Sequence, residues 1–138
     1  MPTAYALPQI TPAQPARRPT ASWQPVCSRR DLVANSGVVV WFAGAQVALF
    51  HVPDAPADGQ VHAIHNRDPQ SAANVIGRGM LGHLQGALVV ASPLYKQHFR
   101  LKDGSCVEQP EVSIKVWPAR LNGDQVELYA TGDGLAIN

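Results

Sequence analysis

From Trp23 onward, apolar residues come in short runs separated by turn formers, the spacing of an all-β sandwich or barrel rather than of helices. Trp23 to Cys27 opens this region, and Asp31-Leu32-Val33 reads as a half-turn. Gly37 then precedes Val38-Val39-Val40-Trp41-Phe42, a β-branched and aromatic run expected to reverse at Gly44-Ala45-Gln46 into Val47 to Val52 as a hairpin. Pro53 to Gly59 is a polar loop. Gln60 to His65 alternates, with Val61, Ala63 and His65 on one side and His62 and Ile64 on the other.

Further along, Ala87 to Ala91 is a near-continuous apolar strand that ends at Ser92. Phe99 and Leu101 alternate with His98 and Arg100, and Lys102-Asp103-Gly104-Ser105 closes that strand with an Asp-Gly turn. Val112, Ile114 and Val116 alternate with Ser113 and Lys115, predicting another strand. Asn122-Gly123 is a hairpin signal before Val126 and Leu128, and these last strands are expected to close the barrel.

The 138 residues suffice for one domain plus extensions. Residues 1–22 carry Pro2, Pro8, Pro12, Pro15 and Pro19 among Ala, Thr and Gln, a composition that resists helix and sheet, and are expected to form a disordered tail. Residues 23–130 are the domain and 131–138 a C-terminal tail. With a formal charge of +1, no electrostatic footprint favours nucleic acid or an anionic membrane. No segment approaches the roughly 20 apolar residues of a membrane span, and Arg17-Arg18 is followed by Pro19 and Thr20 where a twin-arginine signal would turn apolar, so a cytoplasmic protein is expected. Cys27 and Cys106 are too few for a metal quartet and read as free thiols of a reducing compartment.

Several chemical patterns fail on context. Gly77-Arg78-Gly79-Met80-Leu81-Gly82 spells G-x-G-x-x-G, but Gly86, Val89, Val90 and Pro93 leave no helix behind it to hold a pyrophosphate, so the glycines are read as tightening a connection. His51, His62, His65, His83 and His98 are scattered, and Ser92 lacks the strand-to-helix elbow of a hydrolase nucleophile. No catalytic residue, metal site or cofactor site is expected in the chain.

What stands out is a frame. Asp68-Pro69-Gln70 and Ser92-Pro93-Leu94-Tyr95, the latter running on to Phe99-Arg100-Leu101, are similar to the two loops of Rieske ferredoxin domains, Cys-Pro-His and Cys-Pro-x-His followed by Phe-x-Leu. That resemblance puts Asp68, Gln70, Ser92 and Tyr95 at the four ligand positions. A [2Fe–2S] centre of this kind needs two thiolates and two imidazoles, and an acid, an amide, an alcohol and a phenol offer neither. Asp68 alone brings too little charge to hold calcium or magnesium. The four vestigial corners are expected to hydrogen bond among themselves, with Pro69, Pro93 and Leu94 helping to hold the loop tips together, so Tyr95→Ala is expected to lower the melting temperature.

Together with Ala63 to Pro69, Ala73 to Gly79 and Ala91 to Leu101, this frame resembles the small-subunit family of cytoplasmic NAD(P)H-dependent nitrite reductase, from Trp23 to about Tyr129. Departures from the family pattern fall in the longer proline-rich front and at Asn66-Arg67. The resemblance implies an all-β, Rieske-like antiparallel β-sandwich with a small loop-bearing subdomain that includes residues 66–101. It implies nitrate assimilation, nitrite being reduced to ammonium, with FAD, siroheme and a [4Fe–4S] cluster on the large subunit and none here. The implied role is association with that large subunit. Loop tips on a rigid scaffold often carry recognition, so Arg67, Arg78, Lys96, Gln97 and His98 are read as a partner-facing patch, and Tyr5, Leu7 and Ile10 as anchors if the tail docks. The alternatives are a stand-alone adaptor and a Rieske-type electron-transfer ferredoxin, the latter weakened by the missing ligands.

Overall fold

The computed structural model describes residues 22–130, in which ten strands form three antiparallel sheets. In chain order these are β1 (Ser22–Ser28), β2 (Gly37–Phe42), β3 (Ala45–His51), β4 (Val61–His65), β5 (Met80–Leu84), β6 (Ala87–Ala91), β7 (His98–Arg100), β8 (Val116–Trp117), β9 (Ala119–Asn122) and β10 (Gln125–Ala130). The expected tails lie outside the described residues, apart from Ser22, which begins β1. Short 3₁₀ turns at Arg29–Asp31, Ala57–Gly59 and Ile76–Arg78 are the helical elements among the described residues, and no helix there is long and apolar enough to cross a membrane.

The central layer is the four-stranded sheet β2-β3-β4-β8. Val47, Ala48, Leu49 and Phe50 of β3 form an unbroken apolar run because the strand is covered on both faces. One face of the sheet, with Phe42, Val47, Leu49, Val61 and Ala63, packs on Val126 and Leu128 of the terminal sheet β9-β10-β1. The opposite face, with Ala48, Phe50 and Ile64, packs on Val90 and Phe99 of the third sheet, β5-β6-β7. This third sheet is the loop-bearing layer.

Several local expectations shift. The first hairpin turns at Ala43-Gly44, both left-handed (φ 53° and 80°), starting one residue before the Gly44 to Gln46 reversal expected, because strand twist selects a turn with both central residues at positive φ. Gln85-Gly86 repeats that geometry between β5 and β6. β5 itself was masked in sequence by Gly82 and His83. The alternation from Val112 to Val116 yields only the short β8. Ser113 makes one isolated bridge to Ser105, with Pro110 and Pro118 flanking the segment. In the last hairpin Asn122 pairs with Gln125, so Gly123-Asp124 forms the turn.

Gly77 and Gly79 of the G-x-G-x-x-G stretch serve close approach rather than a tight reversal. A Cβ on Gly79, whose φ of −74° is ordinary, would sit 2.3 Å from the Ala91 carbonyl oxygen, and one on Gly37 would sit 2.5 Å from the Gly77 carbonyl oxygen. These contacts press the 3₁₀ turn at Ile76–Arg78 between β2 and the end of β6. Gly82 faces open space.

Gly79→Ala must displace the β6 backbone just before Ser92 and is expected to cost about 2 kcal/mol or more, lowering Tm by several degrees, whereas Gly82→Ala is expected to stay within about 0.5 kcal/mol; thermal unfolding of both variants checks this. His62 and His65 of β4 are both pushed below the ordinary imidazole range, chiefly by burial, with Arg67 and Lys115 adding for His65 and the Gly59 carbonyl opposing for His62. The unfolded imidazoles therefore take up protons first as pH falls through about 6.5, so stability drops below that pH, and Tm is expected to fall between about pH 7.5 and about pH 5.5.

Candidate functional site

The first loop leaves β4 at His65, and its base is built on Asn66. This buried residue is held through all four of its polar groups. Its backbone N–H donates to the Gln46 carbonyl (2.9 Å) and its own carbonyl accepts from Ile76 N–H (3.0 Å). Its Nδ2 donates to Gln46 Oε1 (3.0 Å) and its Oδ1 accepts from Gly77 N–H (2.6 Å). A polar residue after an alternating strand gave no hint of this, since its partners are distant in sequence and become neighbours only when β3, β4 and the 3₁₀ turn pack.

The two loops are copies of one turn. Asp68 N–H donates to the carbonyl of Ala73, and Ser92 N–H to that of Gln97, each at 2.8 Å and each five residues on. The Asp68 carbonyl accepts from Ala72 N–H (2.7 Å) and the Ser92 carbonyl from Lys96 N–H (3.0 Å). Ala72 and Lys96 are both left-handed, with φ of 64° and 62°. Asp68 Oδ1 accepts from Gln70 N–H (2.7 Å) and Ser92 Oγ from Leu94 N–H (3.3 Å), the short side-chain turns that Asp and Ser form before a proline.

Between the loops, Ser92 Oγ donates to Asp68 Oδ2. Both residues have no solvent exposure. Asp68 Oδ1 also accepts at longer range from Ser71 N–H (3.4 Å), so every partner of the Asp68 carboxyl is a donor and the hydroxyl of Ser92 is used both ways. A buried polar pair without such partners would be costly.

The other two corners behave differently from expectation. Gln70 is exposed and contributes its backbone N–H, and Tyr95 is 57% exposed with no side-chain hydrogen bond among the described residues. Asp68 and Ser92 therefore join the loops, while Tyr95 takes no part, which corrects the expected four-way network. The reason is direction: the paired turns aim the side chains at the two proline-preceding positions inward and leave the later positions on the rim.

This arrangement does not fit an iron–sulfur cluster. The two corners that would carry thiolates are hydrogen bonded to each other, and the two that would carry imidazoles are an outward amide and a phenol. Cys27 lies in β1 and Cys106 beyond β7, both free; Cys27 is pushed up by burial and then by Asp31. No group of three or more His, Cys, Asp or Glu side chains among the described residues is placed to hold a metal ion.

Arg67, Arg78 and Lys96, three of the five residues read as a partner-facing patch, are exposed. Gln97 and His98 are instead tied to the segment after β7. Gln97 Nε2 donates to Gln109 Oε1 (2.9 Å), and Glu108 accepts from His98 N–H (2.9 Å) and pairs with His98 Nδ1 (2.6 Å). Burial works to raise the Glu108 carboxyl, but these bonds from His98 outweigh it and hold it below the usual range. Ser92 and His98 thus have separate partners and form no nucleophile–base pair.

Comparison with known proteins bears on this geometry. Residues 22–129 match the family model of the Rieske-like [2Fe-2S] domain. The chain is 42% identical over 108 residues to the nitrite reductase (NADH) small subunit of Salmonella typhimurium, covering 78% of this chain and 97% of that one. It is similar to the solution structure of a nitrite reductase [NAD(P)H] small subunit from Erwinia carotovora, with a TM-score of 0.62 and 38% identity over 77% of this chain and 79% of that chain. It is also 36% identical over 128 residues to a nitrite reductase [NAD(P)H] large subunit of Klebsiella oxytoca, matching 90% of this chain but 13% of that one.

The bridge between the loops yields a direct test. Ser92→Ala leaves Asp68 Oδ2 buried without its donor and is expected to cost about 1–3 kcal/mol, lowering Tm by roughly 4–15 °C, while Tyr95→Ala is expected to change it little; thermal unfolding of the two variants side by side measures the difference.

Proposed function

Because this chain belongs to the family of NAD(P)H nitrite reductase small subunits, built on the Rieske-like domain, we propose that it is a cofactor-free, non-catalytic subunit that docks on the large subunit. The observation that carries this reading is the buried Asp68–Ser92 bridge, which occupies with oxygen the corners where a cluster would need sulfur. A domain so built keeps the shape of an electron carrier and lacks the donor set for carrying electrons. The ferredoxin alternative loses its chemical basis for the same reason.

The partner is suggested by the Klebsiella oxytoca relative, a large subunit of which this domain corresponds to 13%. A domain that stands inside a large subunit in one protein is a natural companion of the large subunit where the two are separate chains. On this reading FAD, siroheme and the [4Fe–4S] cluster belong to the large subunit, the assembly is cytoplasmic, and it reduces nitrite to ammonium in nitrate assimilation. The small subunit stabilises the large one or shapes access to its redox centres.

Iron and acid-labile sulfide analysis of the purified polypeptide, with its visible absorbance spectrum, is expected to show no stoichiometric cluster. Nitrite reductase activity of the large subunit, assayed with and without the full chain added back, is expected to rise on addition. Stoichiometric iron and sulfide would refute the cofactor-free reading, and full activity without the chain would refute a required role.

A further inference from the structure

Resting on that reading of the partner, we propose that the large subunit is met by one continuous face, apolar at its centre and cationic at its edge, running from the edge strand β2 across the 3₁₀ turn to the second loop tip. Among the described residues, large apolar side chains that remain exposed are few, and all but Val33 lie along this path. Trp41 is 70%, Met80 78%, Tyr95 57%, Leu94 50% and Val39 47% exposed.

The segments that carry them are neighbours in the fold. Phe42 of β2 points to the terminal sheet, so Val39 and Trp41 point to the other side, toward the loop-bearing layer. A Cβ on Gly77 would stand 2.9 Å from Val39 Cγ2, which places the Ile76–Arg78 turn directly against β2. Gly79 touches Ala91 across the same turn, and Met80 pairs with Ala91, the residue before Ser92. Leu94 and Tyr95 follow in the loop clamped by the Asp68–Ser92 bridge.

Charge identifies the chemistry of the occupant. Arg67, Arg78 and Lys96 are exposed on this face and engage in no ion pair among the described residues. In residues 66–81 and 92–98 the one acid is Asp68, and it is buried. A chain of net charge +1 therefore concentrates unpaired cations around an apolar centre, the arrangement of an interface core with a charged rim. The matching surface of the large subunit is acidic around an apolar pocket. The match to the Klebsiella oxytoca large subunit covers more of this chain than residues 22–138 provide, so it extends into the segment before β1. β1 begins at Ser22 beside Ala130, in the terminal sheet on the far side of the central layer.

Binding of the full-length chain to the separately purified large subunit, by isothermal titration calorimetry across a salt series, tests the face. Trp41→Ser and the double variant Arg78→Glu/Lys96→Glu are each expected to weaken binding at least about tenfold, with the double variant also flattening the salt dependence. Asp124→Lys, an exposed charge change in the terminal sheet, is expected to leave affinity unchanged, and circular dichroism confirms that each variant is folded. Met80→Lys replaces Trp41→Ser if the latter fails to fold. Wild-type affinity that survives both face variants overturns the docking face while leaving the association intact; no binding by the wild type overturns the association itself. Self-association of the wild-type chain lost in Trp41→Ser would assign the face to a second copy. Tighter binding by a full-length Leu7→Asp/Ile10→Asp variant would assign it to the chain's own N-terminal segment. Either result overturns the proposal.

Discussion

A buried hydrogen bond, the Ser92 hydroxyl donating to the Asp68 carboxyl, joins the two loops. Each loop is internally closed by its own turn, with the corner N–H and carbonyl both bonded within the loop. Closure alone does not hold one loop to the other. A covalent metal cluster would do so strongly, and here the same task falls to one hydrogen bond between groups with no solvent exposure. Low local dielectric strengthens such a bond, and the absence of competing water makes losing either partner expensive.

The bridge works because its two ends are already fixed. Asn66 secures the base of the first loop to β3 and to the Ile76–Arg78 turn, and the glycines at 37 and 79 let that turn lie against backbone on both sides. On the second loop, Gln97 and His98 are tied to Gln109 and Glu108. Gln97 and His98 are therefore internal fastenings, while Arg67, Arg78 and Lys96 stay exposed. Exposed Trp41 and Met80 are not accounted for by the needs of the fold, since large apolar side chains left in water are a cost unless something covers them.

The chain belongs to the small-subunit family and keeps the Rieske-like scaffold of sheets and paired loops. Where a Rieske centre has sulfur at two of its corners, this chain has a carboxyl and a hydroxyl joined by a hydrogen bond.

The all-β class, the order of most strands and the frame of the two loops were legible in the sequence, because turn residues, two-residue alternation and proline-flanked motifs are local signals. So was the absence of cluster ligands, which is a matter of residue type. Asn66 had no local signal, β5 was hidden by Gly82 and His83, and the Val112–Val116 alternation overstated a strand. Which of the four former corners would do the holding was not legible either. Asp68 and Ser92 meet because β4 and the β6–β7 connection are brought together by two-sided burial of the central sheet, while Gln70 and Tyr95 point away. Residue chemistry is written position by position, but whether two side chains face each other depends on the packing of layers distant in sequence, and that was decided by the tertiary structure alone.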